Sequence, residues 1–123
     1  MPFDGTPEVN TTIPQVVLDL VAAQQWLMEK GWCKGNMSHG DRRCIAGAVR
    51  QVVLGHADTI YYTYEGTRLN TAMSALLASI NREKPTRYHR SIPGFNDAKT
   101  TTFVKVMDVF AWAIERELSA KTL

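Results

Sequence analysis

The sequence predicts an all-α fold, a small single-domain bundle of about four helices. Three observations carry that expectation. Four segments repeat apolar residues at three-and-four spacing, the pattern of a helix with one buried face. None of the five prolines falls inside one of those segments beyond its first turn. The single stretch of strand-like composition, Thr59 to Tyr64, has no partner stretch elsewhere in the chain. An unpaired strand is not stable, so it is expected to be an extended or short helical connector.

Taken in order, residues 1–12 hold prolines, threonines and a glycine without periodicity and are expected to form an irregular arm. Residues 13–123 are expected to form one helical domain. Its first helix spans about 14–30, with Thr12 as cap, Pro14 in the first turn and Gly31 just past the end. Val17, Leu20, Val21, Leu27 and Met28 form its apolar stripe, interrupted by Gln24. A second helix is expected from Arg42 to Leu54, capped by Asp41 and stopped by Gly55, with Ile45, Ala48, Val49, Val52 and Val53 inward. A third covers about Leu69 to Arg82 through Leu69, Met73, Leu76, Leu77 and Ile80. A long loop follows, containing Pro85 and Pro93-Gly94. The last helix runs from about Thr101 to Ala120, with Thr100 or Asp97 as cap and Phe103, Val106, Met107, Phe110, Ala113, Ile114 and Leu118 on one face.

A chain of 123 residues can bury a core without covalent staples. Its net charge of +2, from 14 basic and 12 acidic residues, excludes a protein that coats nucleic acid by charge alone, while leaving room for a local basic patch. Residues 1–5 lack a basic and apolar leader, so a cytoplasmic location is expected. Gln15, Asp19, Gln24 and Gln25 break the apolar run from Ile13 to Met28, which makes it an amphipathic helix and not a membrane span. Cys33 and Cys44 are expected as reduced thiols; in an exported protein they would be candidates to pair.

Chemistry is concentrated at a few positions. Cys33, His39, Cys44 and His56 are zinc-ligand types, but their spacing fits no common zinc module and a helix separates Cys44 from His56, so no metal and no cofactor is expected. Cys44 at a helix start, behind Arg42 and Arg43, is the candidate nucleophile, since a positive surrounding lowers a thiol pKa. It would need His39 or His89 as base and Asn96 or Asp97 as orienting group. The plainer expectation is a buried Cys44 packing near Trp32, with Gly47 and Ala48 permitting a close contact. Asn96-Asp97 is most simply a turn and helix cap. The segment 82–90 interleaves Arg82, Lys84, Arg87 and Arg90 with Tyr88, a composition suited to a phosphate backbone or an acidic protein.

These motifs together resemble an uncharacterised family of small proteins from actinobacteria and their phages. The pattern is a helix ending in Gly-Trp (Gly31-Trp32), a glycine (Gly35), then Cys-x-x-Gly-Ala (Cys44 to Ala48). A hydrophobic-x-x-aromatic-Asn-Asp turn follows (Ile92, Phe95-Asn96-Asp97) before a last helix. The chain departs from it at Phe95, where tryptophan is usual, and in the polar segment 82–90. The resemblance implies no activity, and implies that Trp32, Cys44, Asn96 and Asp97 share one cluster.

The expected function is therefore a small cytosolic helical protein that binds a macromolecular partner without catalysis, as a regulator or inhibitor. A protein partner is expected first; a homodimer is compatible with the sequence. Two alternatives stand beside it: a cysteine-dependent hydrolase or transferase built on Cys44, and a nucleic-acid-binding module built on the 82–90 segment.

Overall fold

Five helices and one β-hairpin of two two-residue strands are the regular elements of a computed structural model whose described residues are 12–57, 66–82 and 91–121. Helix α1 (Gln15–Lys30) begins after Pro14, whose carbonyl accepts from the Val17 and Leu18 N–H groups. Thr12 is exposed and Pro14 itself occupies the cap position, with no side-chain cap bond. At the other end Gly31 takes φ 111°, a conformation that favours glycine, and its N–H returns to the Leu27 carbonyl at 3.0 Å.

The chain then turns into a hairpin of β1 (Ser38–His39) and β2 (Arg42–Arg43), with Ser38 opposite Arg43 and His39 opposite Arg42. Gly40 at φ 65° supplies the left-handed turn. Strand β2 also pairs with the end of α1: Arg43 N–H donates to the Gly31 carbonyl, and Cys33 N–H to that of Arg43. Because Arg42 and Arg43 are spent in this pairing, α2 starts three residues later than the sequence predicts. It spans Ile45–Leu54, and its cap is Cys44, not Asp41. Gly55 ends it in the left-handed conformation, as the sequence predicts.

Helix α3 (Gly66–Ile80) starts ahead of the predicted Leu69. The expected loop before the last helix holds a further short helix, α4 (Ile92–Asp97). Ser91 caps it through its Oγ, which accepts from the Gly94 N–H at 3.1 Å, and Pro93 sits in the first turn, where a missing donor costs nothing. Helix α5 (Phe103–Lys121) closes the fold; Thr102 Oγ1 accepts from the Lys105 N–H, so neither Thr100 nor Asp97 is its cap.

Helix α1 packs on α2 and α5, while α3 packs on α5 and α2. Leu20, Leu27, Ile45, Val49, Leu69, Leu76, Val106 and Phe110 are fully buried in one cluster, with Val52, Ile80 and Ile114 half-buried against it. The fold is thus mostly α, a small bundle as the apolar spacing predicts. Among the described residues, no helix is long and apolar enough to cross a membrane. The 59–64 connector, residues 1–11 and most of the basic segment lie outside the described residues.

Candidate functional site

Cys44, Asn96 and Asp97 do converge. They line one open depression of about 320 Å³ together with Gly35, Asn36, Met37 and Pro93. The residue that organises it is Asn96, on α4 and completely buried. Its Oδ1 accepts from the Trp32 indole N–H at 2.7 Å and from the Ile45 backbone N–H at 3.0 Å. Its Nδ2 donates to the Cys33 carbonyl at 3.1 Å and to Asp97 Oδ1 at 2.9 Å. A carboxamide has two donor hydrogens and two acceptor lone pairs, and here all four are used. One side chain thereby ties the end of α1, the start of α2 and α4 to each other.

Asp97 extends the clamp by accepting from the Gly35 N–H at 2.9 Å. Lys34 lies over the Trp32 ring at 5.4 Å and donates to the Ala98 carbonyl at 2.7 Å. The Trp32, Ile45, Gly35 and Asn96 donors of this set are all bonded within the protein.

Cys44 is a buried helix cap. Its Sγ accepts from the Gly47 N–H at 3.2 Å, and its thiol donates to Met37 Sδ at 3.7 Å. Its own N–H donates to the Met37 carbonyl. That carbonyl sits so close to α2 that a Cβ on Gly47 would lie 2.2 Å from its oxygen. The Cys-x-x-Gly spacing follows from this geometry: the cap sulfur reaches the N–H three residues on, and only glycine there leaves space for Met37.

Burial pushes the Cys44 thiol up, and the Gly47 N–H opposes it without prevailing. Cys44 is buried, as the plainer sequence expectation has it, and that burial opposes the alternative in which the helix start and Arg42–Arg43 favour a thiolate. The two arginines act instead on Cys33, where they oppose a desolvation that still raises the pKa. Both cysteines are free thiols.

The histidines stand apart. His39 is exposed on β1, and His56 is exposed beyond the end of α2 far from Cys44; neither lines the depression. His89 lies outside the described residues. Asn96, with every hydrogen-bonding position taken, has none left to orient an imidazole. No group of three or more His, Cys, Asp or Glu gathers at one point among the described residues.

Of the basic segment, only Arg82 is described; Lys84, Arg87, Tyr88 and Arg90 lie outside. The Arg82 guanidinium pairs with Asp108, donates to the Ser79 carbonyl at 2.8 Å and lies 5.5 Å from the Trp112 ring centre. It is anchored to α3 and α5.

A second ion pair, between the buried Asp19 and the half-exposed Arg68, was not anticipated. Asp19, read from the sequence only as a polar break in α1, is buried and receives both Nε and Nη2 of Arg68 from α3, at 3.1 and 2.5 Å. A single carboxylate within an apolar stripe is the only signal the sequence offers.

Fold and site together define a small helical module in which Asn96, Asp97 and Cys44 hold loops and helix ends in place. Residues 12–116 match the family of unknown function DUF6197, and the chain belongs to that family. No curated protein and no solved structure matches it.

Proposed function

We propose that the protein is a non-catalytic helical binding module that acts on a macromolecular partner as a regulator or inhibitor, within the actinobacterial and phage setting that the motif resemblance suggests. One observation carries the reading. The side chains that would build a cysteine-dependent site are consumed internally: Asn96 has all four positions bonded, and the Cys44 thiol is a buried cap. A nucleophile needs a thiolate, a base in reach and an orienting group with a free position. The cluster instead suits a rigid end of the bundle from which a surface is presented. The 82–90 segment joins α3 to α4, and its side chains Arg82, Lys84, Arg87, Tyr88 and Arg90 are the proposed contact residues.

The test is crosslinking affinity capture from host cells with the parent protein and a Cys44→Ala variant. Equal recovery of the same specific partner by both supports the reading. Stoichiometric labelling of native Cys44 by an electrophilic acyl probe, with loss of a hydrolytic activity in Cys44→Ala, would replace it with the hydrolase alternative.

A further inference from the structure

The start of α5 carries the most exposed large apolar side chain described, Val104 at 77%, with Phe103 beside it at 37%. The Phe103 ring leans on Trp32, with centroids 6.2 Å apart, so the indole and Phe103 form an apolar pair above the Asn96 clamp, and Val104 is the next exposed position of α5. Three exposed lysines border it. Lys34 is held over Trp32 and on the Ala98 carbonyl, Lys99 follows Ala98, and Lys105 donates to the Thr100 carbonyl at 3.0 Å. An ammonium has three donors, so the carbonyl bonds orient Lys34 and Lys105 without using their remaining hydrogens. The first turn of α5 contains no acidic residue. The adjoining carboxylate is Asp97, whose Oδ1 is turned inward onto Gly35 and Asn96. Three cations against one internally bonded anion leave the surface positive on a chain whose total is only +2.

We infer that this surface docks a short acidic segment of a partner protein that also carries a large apolar side chain. The inference rests on the binding-module reading and names the chemistry of its partner. Charge complementarity selects the acidic residues, and burial of Val104 and Phe103 under an apolar side chain supplies the hydrophobic part. A nucleic acid fits less well. Base stacking needs an open ring face, whereas the Trp32 ring is approached by both Lys34 and Phe103. Val104, the most exposed member, offers no stacking platform.

The experiment selects a displayed library of random twelve-residue peptides on the immobilised full chain. Parallel selections use the Lys34→Glu/Lys99→Glu double variant and an Arg116→Glu control. Arg116 lies twelve residues beyond Val104, about 18 Å along α5. The parent and the control are expected to enrich peptides with Asp or Glu flanking Leu, Ile, Phe or Trp. The double variant is expected to lose that enrichment, and Val104→Ser to weaken the parent's consensus peptide at least fivefold. Matched circular dichroism spectra establish that the variants fold. Absence of an acidic-apolar consensus, or the same consensus from the double variant, overturns the assignment, as does tighter binding of a twenty-nucleotide single strand than of the peptide. A partner captured from cells but contacting a different face overturns this surface while leaving the binding-module reading intact.

Discussion

The Trp32 indole N–H and the Ile45 backbone N–H meet at a single atom, Asn96 Oδ1, at 2.7 and 3.0 Å. These groups are separated by 64 and 51 positions from Asn96 in sequence, so the contact fixes how α4 meets the start of α2 and the segment after α1.

Asn96→Ala should therefore be among the most destabilising single changes in the protein. It strands the Trp32 and Ile45 donors and the Cys33 carbonyl, and a buried unsatisfied group costs about 1–3 kcal/mol. A loss on the order of 3 kcal/mol in urea denaturation is expected, allowing for partial rehydration at the half-buried Trp32. Asn96→Asp should be nearly as harmful, because it keeps both acceptor contacts but sets an oxygen against the Cys33 carbonyl and Asp97. A shift of the midpoint indistinguishable from that of an exposed Asn36→Ala control would contradict this.

Gly47→Ala should lower stability even though alanine is the better helix former. The added Cβ would stand 2.2 Å from a backbone oxygen, and that oxygen also accepts from the Cys44 N–H. Relief requires moving the Met37 segment, a strain of about 1–3 kcal/mol against a propensity gain of about 1 kcal/mol at most. Comparison of denaturation midpoints checks the sign.

Cys44 should react slowly with maleimide at neutral pH in a Cys33→Ser background, since burial keeps it protonated. The same shift has a pH consequence. The folded-state pKa lies above the unfolded one, so the thiol's contribution to stability is complete below the unfolded pKa. It is lost as pH rises from that value through the folded pKa. The parent should lose more stability than Cys44→Ala between neutral and strongly alkaline pH, measured as the difference between their two stability–pH curves.

Arg68→Ala should lower the melting temperature, because it removes both guanidinium bonds from the buried Asp19 carboxylate and leaves it, among the described residues, with the Gln15 amide at 3.0 Å. Arg68→Lys should recover part of the loss. A single ammonium cannot reproduce the two-nitrogen contact. Asp19→Asn in the Arg68→Ala background should relieve more than it costs, which a double-mutant cycle will show.

For the basic segment, Arg87→Ala/Arg90→Ala should weaken capture of an acidic partner and reduce its dependence on salt. If a nucleic acid were the ligand, each lost phosphate contact would flatten the salt slope by about one unit. Titrations at two salt concentrations separate that outcome from unchanged binding, which would mark the segment as a connector only.

The helices were legible in the sequence because their signal is local. Three-and-four apolar spacing places Leu20, Leu27, Val49, Leu76 and Phe110 on inward faces whatever their partners are, and all five are fully buried. Glycine stops at Gly31 and Gly55 are equally local, since the left-handed backbone belongs to the residue itself. The hairpin at 38–43 and the short helix α4 were not legible. Two-residue strands carry no periodicity, and Pro93-Gly94 ordinarily marks a turn. Nor did the sequence distinguish a reactive Cys44 from a capping one, because the same position at a helix start lowers a thiol pKa when open and raises it when buried. Tertiary structure decided that by laying Met37 over Gly47 and the Cys44 sulfur. It also decided the fate of Asn96, a turn residue by composition, whose four hydrogen-bonding positions reach partners more than fifty residues away as well as its own neighbour. Local pattern determines which faces are apolar and where helices end; only the folded chain determines which polar groups are left for a partner.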